Sequence, residues 1–121
     1  MHQQFTLPRD ASSVGRARDI TRTCFADAGF LGDQREAEIV ASELVTNSIL
    51  HGNDPITFHL WPREDRLRIG VSDGNRVAPS ARPCAAVDTS GRGLAVVQQL
   101  ALQWGSDPYY RGKITWADVK W

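Results

Sequence analysis

The sequence predicts an α+β domain, a two-layer α/β sandwich with helices packed on one face of a mostly antiparallel sheet. Three observations carry that expectation. The 121 residues suffice for one domain around one continuous core, read here as spanning 1–121. Apolar residues recur at the helical period in three stretches and alternate at the strand period in others. The stretches follow one another as strand, two helices, two strands, loop, helix, two strands, an order in which consecutive strands pair while helices cover one side.

Taken in order, Phe5-Thr6-Leu7 is a short apolar and β-branched run stopped by Pro8, which suits an edge strand. Asp10, Ser12 and Ser13 then offer caps for a first helix, whose apolar positions are Val14, Ala17, Ile20, Cys24 and Phe25; Gly29 ends it. A second helix runs from Gln34 to His51, capped by Asp33 with Glu36 three residues on, and is stopped by Gly52. Ile56, Phe58 and Leu60 alternate with Thr57, His59 and Trp61, and Leu67, Ile69 and Val71 alternate beyond a charged turn at Pro62–Asp65, so the two runs read as an antiparallel hairpin. Residues 74–90 hold two prolines and no sustained period, and read as a long loop. Gly91-Arg92-Gly93 opens a third helix, Leu94 to Leu102, apolar around most of its circumference. A last hairpin joins Trp104–Tyr110 to Ile114–Trp121 across Arg111-Gly112-Lys113.

Composition narrows the function. Fourteen basic residues balance fourteen acidic ones, which leaves none of the basic excess that drives nonspecific nucleic-acid binding. Cys24 and Cys84 have no neighbouring His to activate them and no metal-ligand spacing with the three histidines. With no signal-like or membrane-length apolar span, the expectation is a cytoplasmic protein with reduced thiols, no membrane contact and no direct nucleic-acid contact.

Chemistry concentrates on the second helix. Between Ala37 and Gly52 it is apolar around most of its circumference, yet it carries Glu43 and Asn47, four apart on one face. Burying a carboxylate and an amide is costly unless something hydrogen-bonds or coordinates them. An amide oxygen there suits a hard cation such as Mg²⁺, and a carboxylate one turn away suits a general base. An exposed Glu beside an Asn that bridges two helices is the plainer alternative for the pair in isolation. Asp73, at the end of a strand whose Leu67, Ile69 and Val71 face the core, points to the same side; it offers acceptors to a purine amine, or merely starts an Asp-Gly-Asn turn. Ser90-Gly91-Arg92-Gly93-Leu94 at a helix start lets phosphate approach free backbone N–H groups, or is simply a flexible loop end.

As an ordered set these features resemble a known family. Glu43-Leu44-Val45-Thr46-Asn47-Ser48-Ile49-Leu50-His51-Gly52 is similar to the N-box of the GHKL ATPases, in the form carried by bacterial anti-sigma serine kinases, and the likeness extends from Phe5 to Trp121. The resemblance implies a Bergerat, histidine-kinase-like ATPase fold with ATP and Mg²⁺ as cofactors. It assigns Glu43 as the catalytic base and Asn47 as the Mg²⁺ ligand shared with the ATP phosphates. Nucleotide contacts fall at Asn47, His51, Asp73, Asn75, Ser90, Gly91, Arg92, Gly93 and Leu94, with Asp73 on the adenine amine and a lid at about 74–90. It further implies an anti-sigma-antagonist partner whose Ser or Thr is phosphorylated, a sigma factor as sequestered target, and a homodimer. The chain departs from the family where Asp-x-Gly-x-Gly reads Asp73-Gly74-Asn75-Arg76-Val77, without either glycine, and the lid is short. A non-catalytic module that uses ATP, or nothing, to hold a partner-facing shape is the rival reading. Intact Glu43 favours the enzyme and the altered Asp73-Gly74-Asn75 favours the binder.

Overall fold

The computed structural model describes residues 2–30, 34–75 and 89–121, the side chains of the last segment from Leu94 onward. Its elements are β1 (Gln3–Leu7), α1 (Ser12–Asp27), α2 (Arg35–His51), β2 (Ile56–Pro62), β3 (Arg66–Asp73), α3 (Thr89–Leu100), β4 (Gln103–Tyr109) and β5 (Gly112–Lys120). The strands form one sheet in the order β1-β2-β3-β5-β4, and every neighbouring pair is antiparallel. The predicted sandwich is therefore the observed one, with β1 at an edge as its closing proline requires.

α2 is the central helix. It packs between α1 and α3 and crosses β3 and β5. Val40, Ala41, Leu44 and Val45 are fully buried against Phe58, Leu60, Leu67, Ile69 and Val71 of the sheet. Among the described residues, no helix is long and apolar enough to cross a membrane.

α1 turns a slightly different stripe inward than its apolar residues predict. Ser13 and Thr21 are buried along with Ala17, Cys24 and Phe25, while Val14 and Ile20 are only half-buried. The two hydroxyls are tolerated because each donates locally, Ser13 to the Pro8 carbonyl and Thr21 to the Ala17 carbonyl at 2.8 Å. Asp10 helps start the helix by accepting from the Ser12 amide at 2.9 Å. At the other end Gly29 takes φ +83°, a left-handed conformation that suits glycine, while the Phe30 amide reaches back to the Phe25 carbonyl at 2.9 Å. For α2, Gln34 holds the cap position without a side-chain capping bond, and Asp33, the expected cap, lies outside the described residues.

Three boundaries move with consequence. α3 begins at Thr89, so Gly91 and Gly93 fall inside its opening turns instead of ahead of them, and it ends at Leu100, before the expected Leu102. The last hairpin closes through Tyr110 and Arg111 alone, because Tyr110 adopts φ 52°, and Gly112 and Lys113 are the first two residues of β5 instead of its turn. The expected lid falls almost entirely on residues 76–88, which lie outside the described residues.

The sheet face away from the core carries its own layer. Alternation along β2 places His59 on this side with Thr57 and Trp61, yet its exposure is 1%. The ring stacks on Trp61 and His2, each at 5.1 Å between centroids, and its two nitrogens hydrogen-bond His2 and Ser72 Oγ, both at 2.9 Å. Next to it Arg68 clasps the buried Asp118 with bonds of 2.7 and 3.0 Å and lies over the Trp116 ring. Gly70 and Gly105 leave room for the rings, since a Cβ would stand 3.1 Å from Trp61 and 2.9 Å from Trp116 respectively.

Candidate functional site

The site forms where the C-terminal half of α2 meets the end of β3 and the start of β5. Helical spacing sets Glu43 and Asn47 on one side of α2, and Ser48 turns toward the sheet. Asn47 retains 6% exposure, and its amide makes no hydrogen bond among the described residues. A nearly buried amide oxygen without a protein donor is chemically suited to a hard cation. Glu43 is half-buried with no ion pair among the described residues, and burial raises its carboxyl above the usual range. A carboxylate so placed is a stronger proton acceptor than an exposed one.

Asp73 ends β3 on the core side, as the alternation predicts, and is 5% exposed. Its surroundings were not legible in the sequence. Oδ1 accepts the Asn75 amide at 2.8 Å and Lys113 Nζ at 2.9 Å; Oδ2 accepts Ser48 Oγ at 3.0 Å and Lys113 Nζ at 3.2 Å. A carboxylate has about four lone-pair positions, so these bonds fill it. Lys113, itself 4% exposed, uses its remaining donor on the Asn75 carbonyl at 3.2 Å. The pairing follows from strand register, which sets Asp73 opposite Lys113.

Backbone packing fixes this knot. A Cβ on Gly52 would lie 2.6 Å from Asp73 Oδ2, and one on Gly112 would lie 1.8 Å from the Asp73 carbonyl oxygen, so both positions demand glycine for close approach. Gly52 is thus more than the helix stop read from the sequence; its φ of −87° needs no glycine. The Gly74 amide donates to the Asn53 carbonyl at 2.8 Å, and Asn75 Nδ2 donates to the His51 carbonyl at 2.7 Å. Arg9 donates to the carbonyls of Ile49 and Gly52 at 2.9 and 3.1 Å, a cation at the negative end of α2.

Of the residues singled out in the sequence, Glu43, Asn47, His51, Asp73 and Asn75 gather on α2 and the adjoining end of β3. His51 enters through its carbonyl and leaves its side chain exposed. Leu94 is buried on α3, which packs along α2. Gly91 lies in the first turn of α3, where helix N–H groups lack intrahelical acceptors, whereas Gly93, four residues past Thr89, lies beyond it; the side chains of Ser90 and Arg92 lie outside the described residues. Sequence reasoning missed Ser48 and Lys113. A lysine in the inward register of the alternating run Lys113, Thr115, Ala117, Val119 was the available signal, hidden by assigning Lys113 to the turn.

These residues fit Mg·ATP at one end and not at the other. The Asn47 amide is available to a cation. The Asp73 carboxylate, as placed, has no acceptor left for an adenine amine.

A family model described as the histidine kinase-like ATPase domain matches residues 7–114, from the last residue of β1 into β5. No curated protein matches the chain.

Proposed function

The chain belongs to the family of histidine kinase-like ATPase domains, and on that premise we propose that it is an ATP-binding regulator of the anti-sigma type. In this reading it phosphorylates a Ser or Thr of a small antagonist partner and sequesters a sigma factor or similar target while that partner is absent or already phosphorylated. The observation that carries the proposal is the pairing, one turn apart on α2, of the half-buried Glu43 with the nearly buried Asn47, where neither is bonded within the fold among the described residues.

When bound, Mg·ATP supplies the phosphoryl group and the cation that offsets its charge. Phosphoryl transfer needs positioning and electrostatic stabilisation more than covalent chemistry. Asn47 would lend an amide oxygen to the cation, and the free amides of the first turn of α3, Gly91 among them, would meet the anionic phosphate. Glu43 takes the proton from the attacking hydroxyl of the partner, and its raised carboxyl favours that step. Incubation with γ-labelled ATP and candidate antagonist proteins tests the activity. Label on a partner Ser or Thr is the expected result; ATP binding without transfer to any candidate contradicts the kinase reading.

A second reading has its own observation. The closed Asp73–Lys113 pair favours a non-catalytic module that holds a partner-binding shape, with nucleotide bound weakly or not at all.

A further inference from the structure

Lys113 belongs to none of the motifs in the sequence, yet it decides what Asp73 can do. The Gly112 approach to the Asp73 carbonyl and the Asp73–Lys113 register deliver its ammonium to the carboxylate. Gly52 walls the carboxylate on the helix side, where only a hydrogen atom fits. Ser48 and the Asn75 amide hold one lone-pair position on each oxygen, and Lys113 holds the other two. A base amine needs one such acceptor position, and none is left.

We propose that Lys113 is a built-in competitor for Asp73, which keeps the base-reading carboxylate closed so that the chain does not select for the exocyclic amine of adenine. The energetics favour the incumbent. Both an ammonium and a purine amine would form charge-assisted bonds to the carboxylate, but only the Lys113 ammonium also brings the opposite full charge that a buried carboxylate requires. Leaving either member of a buried pair alone is strongly unfavourable, so a base does not displace the ammonium without giving it another partner. This inference deepens the ATP-binding reading and rests on it: the phosphates and cation anchor the nucleotide, while base selectivity is lost at one position.

The test compares ATP with inosine triphosphate, which carries an oxygen in place of the amine, by calorimetric titration of the full chain with Mg²⁺. Wild type binds the two within about threefold of each other. Lys113→Met frees the two acceptor positions and tightens ATP by ~10-fold, the worth of one good hydrogen bond, while leaving inosine triphosphate unchanged. Lys113→Gln, which keeps a polar end without the charge, shifts selectivity in the same direction and serves if the Met variant does not fold. A wild-type preference for ATP of tenfold or more, or an ATP-to-inosine ratio untouched by both folded variants, overturns the proposal. Absence of binding by every nucleotide to every variant overturns the ATP-binding reading itself and the proposal with it, a result distinct from binding without selectivity.

Discussion

Ser48 Oγ donates a 3.0 Å hydrogen bond to Asp73 Oδ2, joining the helix that carries Glu43 and Asn47 to the strand end that carries Asp73. Both partners are buried, so neither has water to replace the other. Ser48→Ala leaves one carboxylate position unfilled and is expected to lower unfolding free energy by about 1–3 kcal/mol. Urea denaturation followed by circular dichroism measures this; a change within experimental error means that the bond does not link the two elements.

The aromatic layer on the other sheet face makes the fold pH-sensitive. Burial lowers the His59 pKa from 6.5 to about 4, and the charge of His2 acts the same way. Between those values the unfolded chain takes up a proton that the folded chain refuses, so stability is complete above the upper value and declines as pH falls toward the lower. Asp118 acts in a different window. Burial pushes its carboxyl up, but hydrogen bonds from Arg68 and Gln103 and the charges of Arg68 and Arg66 bring it below its usual 3.8, so its contribution is lost only under more acidic conditions. The melting temperature is therefore expected to drop between pH 6.5 and 4.5 in wild type and to be nearly level there in His59→Gln. Parallel profiles for the two proteins contradict this assignment.

Glu43 distinguishes the enzyme from the binder. Replacing it by glutamine keeps its size and hydrogen-bonding capacity but removes basicity, and a general base contributes roughly 10²–10⁴-fold in rate. Glu43→Gln is expected to bind ATP about as well as wild type and to transfer phosphate slower by that factor, measured in single-turnover assays with an accepted partner. Equal transfer by both proteins removes Glu43 from the role of base.

What could be read in advance divides by range. The helices and most strands follow from local periodicity, and Glu43 with Asn47 stand out because polar residues interrupt an apolar helix over a single turn. Features set by contacts between distant segments were hidden. Asp73 meets Lys113 only through the β3–β5 register, across 40 positions of sequence, and Lys113 falls within β5 instead of the turn because the hairpin closes at a left-handed Tyr110. Gly52 likewise reads locally as a helix stop, and its close approach to Asp73 emerges only when α2 lies on the sheet. His59 alternates outward as its strand predicts, but two stacked neighbours from the same face bury it.

Mg²⁺-dependent ATP binding in wild type and Asn47→Ala probes the cation site itself, because Asn47 is the nearly buried amide without a protein partner among the described residues. Isothermal titration of each protein, with Mg²⁺ and with chelator, gives the four affinities needed. Wild type is expected to lose at least ~10-fold in affinity when Mg²⁺ is withdrawn, and Asn47→Ala to bind as weakly with the cation as wild type does without it. Equal affinity in all four titrations would contradict Asn47 as the cation's ligand.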